Sequence, residues 1–322
     1  MIESKAQTVL GCVGKAAQIM QMRFGKSQDI MAKPIERLRE TLAKRSALIV
    51  PGAGNALAAR VIADLGFEAV YLSGAGLTNT LLGLPDLAFV SLPELVQNTA
   101  AVSEVVDLPL LVDADTGFGN AINVRQTVRA LERAGASVIQ LEDQMSPKKC
   151  GHFSGKSVID IEEMCGKVKA AVDGRRSADT LIMARTDARA VEGFDSAVAR
   201  AKLYRNAGAD ILFVEAPESI EELAALPRLI SAPLLINIVV GGKTPILGRE
   251  ELARMGYALV LYANVALQAA IMGMQSALRE LQSKGRMDES GPVASFKERQ
   301  RLVGKPMFDE LDRRYGSPQR DR

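Results

Sequence analysis

The sequence contains no tryptophan and a single histidine, His152, in 322 residues, and aromatic residues make up 4% of the chain. So few aromatic side chains disfavour a single-stranded nucleic acid site, where bases stack on aromatic rings. An excess of either charge is also missing, since 40 Lys and Arg face 38 Asp and Glu, for a formal net charge of +2. A surface so balanced attracts neither nucleic acid nor an anionic membrane. We therefore expect neither as a partner.

Cysteine and long apolar runs are scarce as well. The three cysteines, Cys12, Cys150 and Cys165, have no metal-ligand spacing, and their odd number predicts free thiols in a reducing compartment. No apolar run reaches the roughly 18 residues of a membrane span. The first residues lack the basic-then-apolar layout of a secretory signal. The sequence thus predicts a cytoplasmic protein.

What the sequence does contain is a repeated alternation of strand-like and helix-like segments. Eight apolar, β-branched runs occur, at 47–52, 68–73, 108–113, 138–142, 180–185, 211–215, 234–239 and 258–262. Strands this apolar on both faces are typical of a parallel sheet covered by helices. Eight such units favour an α/β fold of the (β/α)8 TIM barrel type. The alternative is a doubly wound open sheet. Such a fold carries a nucleotide-binding loop after its first strand, and the segment PGAGNALAA resembles that loop only weakly.

The same pattern divides the chain into three parts. Residues 1–33 have mixed periodicity and are predicted to be an N-terminal extension. The barrel, as the catalytic domain, is expected at 34–285, and its last segment is a long amphipathic helix after the eighth strand. Residues 286–322 are polar with a further helical stretch, which predicts a C-terminal helical tail.

Polar groups follow most of the predicted strands, where a barrel of this kind carries its catalytic groups. The second strand ends in the turn SGAG at 73–76. Later strands end in acids, an arginine and an amide: Asp113, Asp115, Glu142, Asp143, Arg185, Asp187, Glu215 and Asn237. Asp113 and Asp115 are two residues apart, so on a strand their side chains point the same way. Taken singly, each acid could instead cap a helix or bind loop amides.

Several carboxylates at one barrel mouth repel one another unless a cation neutralises them. Mg²⁺ takes one or two direct carboxylates together with waters and substrate oxygens. The sequence therefore predicts Asp113, Asp115 and Glu142 as a Mg²⁺ cluster, some of them acting through water, with Mn²⁺ as an alternative ion. Arg185 is then placed to bind a substrate carboxylate bidentately. The SGAG turn offers backbone N–H groups to another anionic oxygen.

The strongest functional signal is the stretch at 138–159, which reads VIQLEDQMSPKKCGHFSGKSVI. After the strand, a glycine-punctuated loop carries paired lysines, the thiol of Cys150 and the only imidazole, His152. Positive charge from Lys149 and His152 favours the thiolate form of Cys150. We interpret this loop as the moving part of an active site.

With LVDADTGFG, IQLEDQ, KKCGH and MARTDA in this order, the sequence resembles the isocitrate lyase/phosphoenolpyruvate mutase superfamily from about Pro34 to Lys284. The resemblance implies a TIM barrel whose C-terminal helix is exchanged between subunits. It also implies a homotetramer built as a dimer of helix-swapped dimers, Mg²⁺ dependence, and small hydroxy-acid or keto-acid substrates.

The matching motifs imply roles for individual residues. Asp113 would bind Mg²⁺ most directly, and three other carboxylates would support it, largely through water: Asp86, Asp115 and Glu142. The ketoacid carboxylate would be bound by residues of SGAG and MARTD, namely Ser73, Gly74, Ala75 and Arg185. Asn237 matches a polar strand end of the family and is expected to contact substrate.

The resemblance also implies the catalytic groups. Cys150 would be the acid–base residue of a gating loop, assisted by Lys148, Gly151 and His152. Glu215 matches the glutamate of the family's FxEA strand end and is expected to take part in catalysis.

The KKCGH loop favours a carbon–carbon lyase, because the superfamily's phosphonate enzymes resemble one another in having an asparagine-containing loop there. The segments GHFSGKSVI and GGKTP are more similar to 2,3-dimethylmalate lyase-type members than to methylisocitrate lyase. Two departures from the lyases stand out. Val240 replaces their usual glutamate, and Gly54 and Asn55 replace an aromatic residue and an acid. The lost glutamate predicts a smaller or more apolar substituent on the substrate.

The resemblance therefore implies a Mg²⁺-dependent lyase that cleaves a substituted malate to pyruvate, or a related ketoacid, and a carboxylic acid. Two alternatives stay open. One is oxaloacetate hydrolase, decarboxylase or another superfamily activity on the same scaffold. The other is a degenerate barrel that binds a ketoacid without catalysis.

Overall fold

A computed structural model gives the architecture of residues 35–149, 151 and 155–316. Cys150, His152 and the extension predicted at 1–33 lie outside the described residues.

Eight parallel strands form a closed barrel in chain order. They are β1 (Leu48–Ala53), β2 (Val70–Leu72), β3 (Leu110–Asp113), β4 (Val138–Glu142), β5 (Leu181–Thr186), β6 (Ile211–Val214), β7 (Leu234–Asn237) and β8 (Leu259–Tyr262). Pairing of β1 with β8 closes the sheet. Every strand overlaps one of the eight apolar runs, so the predicted (β/α)8 barrel is confirmed.

Helices surround the barrel and continue beyond it. They are α1 (35–44), α2 (Ala56–Asp64), α3 (Gly74–Leu82), α4 (Leu92–Ser103), α5 (Ala121–Arg133), α6 (Ile161–Gly174), α7 (Ala188–Val191), α8 (Phe194–Asn206), α9 (Ile220–Leu229), α10 (Arg249–Met255), α11 (Val265–Lys284), α12 (Phe296–Leu302) and α13 (Lys305–Tyr315). Within the described ranges, no helix combines the length and apolar character needed to cross a bilayer.

Alternation along the strands sorts apolar side chains into two layers. Side chains such as Val112 and Ile139 face the helices and form the outer core. Their neighbours Leu111 and Val138 fill the barrel interior. At the C-terminal end of the barrel, the last inward-facing residues of the strands are polar: Ser73, Asp113, Glu142, Arg185, Glu215 and Asn237. The candidate site is therefore the uppermost interior layer of the barrel.

The outside of β8 and β1 differs from the rest of the barrel, because the described residues leave it partly uncovered. A groove of about 760 Å³ runs between α2 and the first turns of α11, and Ile49 and Tyr262 lie along it. No residue of α11 is buried. Six of its apolar side chains are between 41% and 72% exposed: Val265, Ile271, Met272, Met274, Leu278 and Leu281.

Candidate active site

Arg185, at the end of β5, is the central cation of the barrel mouth and is 7% exposed. Its Nε and Nη2 bind the two carboxylate oxygens of Asp187 at 2.8 and 3.0 Å. Its Nη1 lies 3.3 Å from Glu142 Oε2, and its Nη2 lies 3.3 Å from Glu215 Oε2. Although burial opposes the charge, these three carboxylates hold the pKa of Arg185 well above its usual value. The guanidinium also stacks over Phe213, 5.2 Å from the ring centroid.

The bidentate fork of Arg185 is thus already used by Asp187. The sequence predicted that this fork holds a substrate carboxylate. In the structure, Nη1 faces Glu142 and Nη2 also faces Glu215, so every nitrogen of the guanidinium has a carboxylate neighbour.

Asp113 and Asp115 converge on the backbone of Gly74, at the start of α3. The Gly74 N–H donates to Asp113 Oδ2 at 3.3 Å. A Cβ atom at Gly74 would lie 3.0 Å from Asp113 Oδ2 and 3.2 Å from Asp115 Oδ1, so glycine leaves room for both carboxylates. Strand alternation, the predicted cause of this alignment, is not what brings the two carboxylates together. The strand ends at Asp113, and Asp115 lies beyond it in the left-handed region at φ 48°, so strand alternation does not align the pair.

Lys148 bridges two carboxylates of this cluster. Its Nζ lies 2.7 and 2.8 Å from the Asp86 oxygens and 2.8 Å from Asp115 Oδ1. Burial raises the pKa of Asp115 to about 6, against the lowering effect of the Lys148 charge. Burial in turn opposes the charge of Lys148, but Asp115 and the neighbouring acids hold the pKa of this lysine well above its usual value. Lys148 therefore ties its loop to the acid cluster.

Glu142 and Asn237 carry buried oxygens that lack hydrogen bonds. Glu142 is 1% exposed, and neither of its carboxylate oxygens accepts a hydrogen bond from the described residues. Its pKa is raised well above the usual value by burial, against the effect of Arg185. Asn237 Oδ1 is likewise unpaired within the described chain. Buried acceptors of this kind favour a cation or hydrogen-bond donors in the mouth.

The donor set fits a divalent ion of the magnesium type. Among the described residues, no three His, Cys, Asp or Glu side chains stand close enough to enclose a metal by themselves. Mg²⁺ does not need such a cage, since it usually keeps several waters and takes one or two carboxylates. Glu142, which is ion-paired with Arg185 but accepts no hydrogen bond within the described ranges, and the carboxylates that meet at Gly74 provide this kind of site.

The loop after β4 lies against the mouth of the barrel. Gly151 is buried, and a Cβ atom there would lie 2.4 Å from Arg185 Nη2 and 2.8 Å from Glu215 Cδ. Only a residue without a side chain fits this contact. Upstream, the Gln144 amide clamps the loop, because it donates to the Lys149 carbonyl at 2.8 Å and accepts from the Lys149 N–H at 3.0 Å. The structure thus brings Gly151 and Lys148 to the acid cluster.

The start of α3 lies beside the same cluster. Ser73 is the N-cap of this helix, and its hydroxyl accepts from the Gly76 N–H at 3.1 Å. Ser73 also donates to Asn264 Oδ1 at 3.3 Å. Gly74 and Ala75 occupy the first turn, where backbone N–H groups and the helix dipole favour an anion.

Asn237 and Glu215 meet on the far side of Arg185. Asn237 Nδ2 lies 3.5 Å from Glu215 Oε2, and the other oxygen of Glu215 accepts from the Ala216 N–H at 3.0 Å. Val240, in contrast, is 53% exposed on the loop after β7. It therefore does not line a buried pocket in this structure.

Four polar residues of the mouth were not assigned to the site from the sequence. Asp187 holds Arg185, and Lys156 reaches Asp187 from the loop at 2.6 Å. Below them, Tyr71 and Gln140 form a hydrogen-bonded pair inside the barrel. Gln140 was detectable, because it is the one polar residue within the apolar run VIQL.

Asp143 is a strand-end acid with a structural role. Asp143 directly follows the inward-facing Glu142, so its side chain points away from the barrel interior. It accepts hydrogen bonds from the Thr186 and Tyr204 hydroxyls at 2.7 and 2.8 Å and from the Asp187 N–H at 2.9 Å. These bonds connect β4 to β5 and α8.

Comparison with known proteins shows which family the chain resembles. The sequence pattern of the phosphoenolpyruvate phosphomutase family matches residues 38–282. A 2-methylisocitrate lyase of Aeropyrum pernix is 49% identical over 79% of this chain and 82% of its own length. The 2,3-dimethylmalate lyase of Eubacterium barkeri is 42% identical over 87% of this chain and 98% of its own length.

Solved structures show the same relationship. A crystal structure of 2,3-dimethylmalate lyase superposes with a TM-score of 0.83 and 31% identity, over 89% of this chain and 97% of that one. A phosphonopyruvate hydrolase solved with oxalate and Mg²⁺ superposes with a TM-score of 0.79 and 29% identity, over 88% and 99%. The chain therefore belongs to the phosphoenolpyruvate phosphomutase family, within the isocitrate lyase/phosphoenolpyruvate mutase superfamily, and is an enzyme of the lyase class.

Proposed function

We propose that this lyase cleaves a carbon–carbon bond of a substituted malate, yielding pyruvate or a related ketoacid and a carboxylic acid. One observation carries the proposal. The acid cluster and Arg185 share the uppermost interior layer, and the backbone of Gly151 packs directly on Arg185. A loop seated there excludes water from whatever the mouth binds.

The divalent ion of the proposal is Mg²⁺, with Mn²⁺ as an alternative. Asp113 would hold it most directly, while Asp86, Asp115 and Glu142 would act largely through water. The relative solved with oxalate and Mg²⁺ supports this choice, because oxalate resembles the hydroxy-acid end of a malate. When bound, the ion supplies positive charge that favours the ionised forms of the substrate carboxylate and hydroxyl.

The protein groups bind and orient the substrate around this ion. The first turn of α3, with Ser73, Gly74 and Ala75, would take the ketoacid carboxylate at the helix N-terminus. Arg185 and Asn237 would contact the remaining oxygens. Arg185 also brings a permanent positive charge to the place where the second carboxylate becomes electron-rich.

The reaction itself is a retro-aldol cleavage. The substrate hydroxyl gives its proton to a carboxylate of the acid cluster and becomes the carbonyl of the ketoacid, and the bond between C2 and C3 breaks. The electron pair moves to C3, where the neighbouring carboxylate delocalises it as an aci-carboxylate. Cys150 then supplies the proton that forms the new C–H bond. Lys148, Gly151, His152 and Glu215 would assist by holding the loop and the thiol in place.

The substrate class follows from the relatives and from Val240. The relatives named above act on 2-methylisocitrate and on 2,3-dimethylmalate. Val240 lies on the exposed loop after β7 and is apolar where a glutamate could have contacted a polar substituent of the substrate. We therefore propose a substituted malate whose substituents are small and apolar.

Assays with 2,3-dimethylmalate, 2-methylisocitrate and oxaloacetate, each with Mg²⁺ or with a chelator, test the proposal. We expect Mg²⁺-dependent release of pyruvate from dimethylmalate and little turnover of the other two. Turnover of oxaloacetate alone would replace the proposal with a hydrolase or decarboxylase.

The Cys150→Ala variant should lose cleavage while it still binds Mg²⁺ and pyruvate. Full turnover by this variant would refute the role of the thiol.

We also propose that the enzyme is a homotetramer of helix-swapped dimers. The groove beside β1 and β8 and the exposed apolar side chains of α11 support the exchange, because each would cover the other in a second copy. In this arrangement residues 34–285 form the catalytic domain and 286–322 the C-terminal tail. Within the tail, Arg301 of α12 binds both oxygens of Asp64 on α2 at 2.7 Å.

A further inference from the structure

A polar pair lies inside the barrel, where the neighbouring side chains are apolar. Gln140, in the middle of β4, is completely buried, and Tyr71 on β2 is 2% exposed. The Tyr71 ring packs in the interior core with Leu111 and Val138. Burying an amide and a phenol in such a core costs free energy unless their hydrogen bonds are made. The mechanism proposed above does not use either residue.

The pair is connected to the acid cluster in one direction. Gln140 is the cross-strand partner of Asp113. Its Nε2 donates to Asp113 Oδ1 at 3.0 Å, and its Oε1 accepts from the Tyr71 hydroxyl at 2.9 Å. An ionised carboxylate only accepts hydrogen bonds, so the amide must turn its NH₂ group to Asp113 and its carbonyl to Tyr71.

These contacts make the two oxygens of Asp113 unequal. Oδ1 accepts from Gln140 and from the Asp115 N–H at 3.2 Å. Oδ2 faces Gly74, on the side where the Asp115 carboxylate also approaches. Rotation of the carboxylate would break both bonds to Oδ1. Gln140 therefore helps to determine which oxygen is presented to the cluster.

We propose that Gln140 and Tyr71 are positioning residues for the divalent cation site. They hold Asp113 Oδ1 from inside the barrel and so present Oδ2 to the ion. This proposal depends on the divalent ion of the proposed function, but it does not depend on the proposed reaction. Outer partners that orient a metal-binding carboxylate or imidazole typically change metal affinity by about 10- to 100-fold when they are removed.

Calorimetric titration of the full-length protein with Mn²⁺ tests the proposal. Gln140→Met keeps the length of the side chain and removes both hydrogen bonds, and we expect its Mn²⁺ affinity to fall by about 10- to 100-fold. Tyr71→Phe removes one hydroxyl and should weaken Mn²⁺ binding less, by about two- to tenfold. Met183→Leu is the matched control, because Met183 is the interior neighbour of Gln140 on β5 and its affinity should not change.

The double variant separates positioning from general damage to the core. If Tyr71 acts through Gln140, the Tyr71→Phe change adds nothing to the loss of Mn²⁺ affinity in Gln140→Met. Independent, additive losses would overturn the relay, and unchanged affinity in Gln140→Met would overturn the whole inference. If Gln140→Met does not fold, Tyr71→Phe decides, since the proposal requires its Mn²⁺ affinity to fall below that of Met183→Leu.

The two proposals fail in different ways. A wild-type protein that binds Mn²⁺ but cleaves no substituted malate refutes the proposed reaction and leaves the role of Gln140 intact. A lyase whose Mn²⁺ affinity is the same with and without Gln140 refutes the positioning role alone. A wild-type protein that binds no divalent ion refutes both.

Discussion

The ammonium of Lys156 lies 2.6 Å from Asp187 Oδ1 and also donates a hydrogen bond to the carbonyl oxygen of Gly151. Asp187 in turn holds the fork of Arg185. The Lys156 side chain is 2% exposed and that of Asp187 is fully buried, so solvent screens the pair little. Although burial opposes it, Arg185 and Lys156 lower the pKa of Asp187. One buried lysine thus connects the loop to the arginine at the barrel mouth.

Replacing Lys156 with methionine should release the loop from the mouth. The Gly151 carbonyl and one oxygen of Asp187 lose their shared donor. A charge-assisted hydrogen bond of this kind contributes about 1.5 to 3 kcal/mol. We expect kcat/KM to fall by at least about tenfold and trypsin to cleave more rapidly after Lys148 and Lys149. Steady-state kinetics and limited proteolysis with mass spectrometry measure both effects.

Lys44→Met on α1 is the control. The Lys44 side chain is 70% exposed, and its ammonium lies 3.3 Å from Glu40 in an exposed setting. Because exposed charges contribute little to stability, its removal should leave kcat/KM nearly unchanged. Equal losses in the two variants would show that Lys156 has no special role.

Gly151→Ala should block closure through a single methyl group. The added Cβ atom would lie 2.4 Å from Arg185 Nη2 and 2.8 Å from Glu215, so either the loop or the arginine must move. We expect loss of at least about 100-fold in kcat, because a displacement of about 1 Å near the reacting groups has that effect. The thermal midpoint should change little, since the loop lies on the barrel rather than within its core.

Gly166→Ala provides the comparison for the glycine change. Gly166 lies on α6, and a Cβ atom there would meet nothing within 4 Å. This variant should keep full activity and gain about 0.5 to 1 kcal/mol of stability, because alanine is the better helix former. Full activity in Gly151→Ala would mean that the contact with Arg185 is not needed for turnover.

The fold and much of the mouth were predictable because one rule governs both. A strand whose alternate residues fill the barrel interior delivers its last interior residue to the mouth. Asp113, Glu142 and Arg185 are placed by this rule, and the structure finds them where the apolar pattern predicts. Glu142 and Arg185 are even paired across β4 and β5 in register.

Contacts made by loops did not follow from the sequence. Lys148 and Lys156 lie on a stretch without periodicity, so no pattern indicates that one binds Asp86 and the other Asp187. Asp115 also departs from the rule, because the chain leaves the strand at Asp113 and turns through a left-handed residue. Such turns depend on tertiary contacts that local sequence does not encode.

The pKa of Asp115 predicts how the stability of the metal-free protein depends on pH. Burial raises this pKa from 3.8 to about 6, so the folded state holds the proton more tightly than the unfolded state. This group's contribution is therefore complete below about pH 4 and is lost as the pH rises through about 6. At about 1.4 kcal/mol per pKa unit, the change is on the order of 3 kcal/mol.

Urea unfolding in a chelating buffer at about pH 5 and about pH 7 measures this effect. The free energy of unfolding of the wild-type protein should fall over this interval by more than that of Asp115→Asn, which has no titrating group at this position. The difference between the two proteins isolates Asp115 from the other acids. Parallel profiles would show that Asp115 titrates in its ordinary range.

The groove beside α11 predicts how the chain assembles. Val61 lies in this groove on α2 and is 37% exposed. If α11 of a second copy covers it, Val61→Glu places an unpaired charge in an apolar contact, which costs several kcal/mol. Leu203→Glu on α8 is the control, since Leu203 is 42% exposed and lies outside the groove. Light scattering should show a tetramer for the wild type and for Leu203→Glu, and a smaller species for Val61→Glu. A tetramer that survives Val61→Glu would place the interface on another surface, because a groove buried between subunits could not accommodate that charge without weakening the assembly.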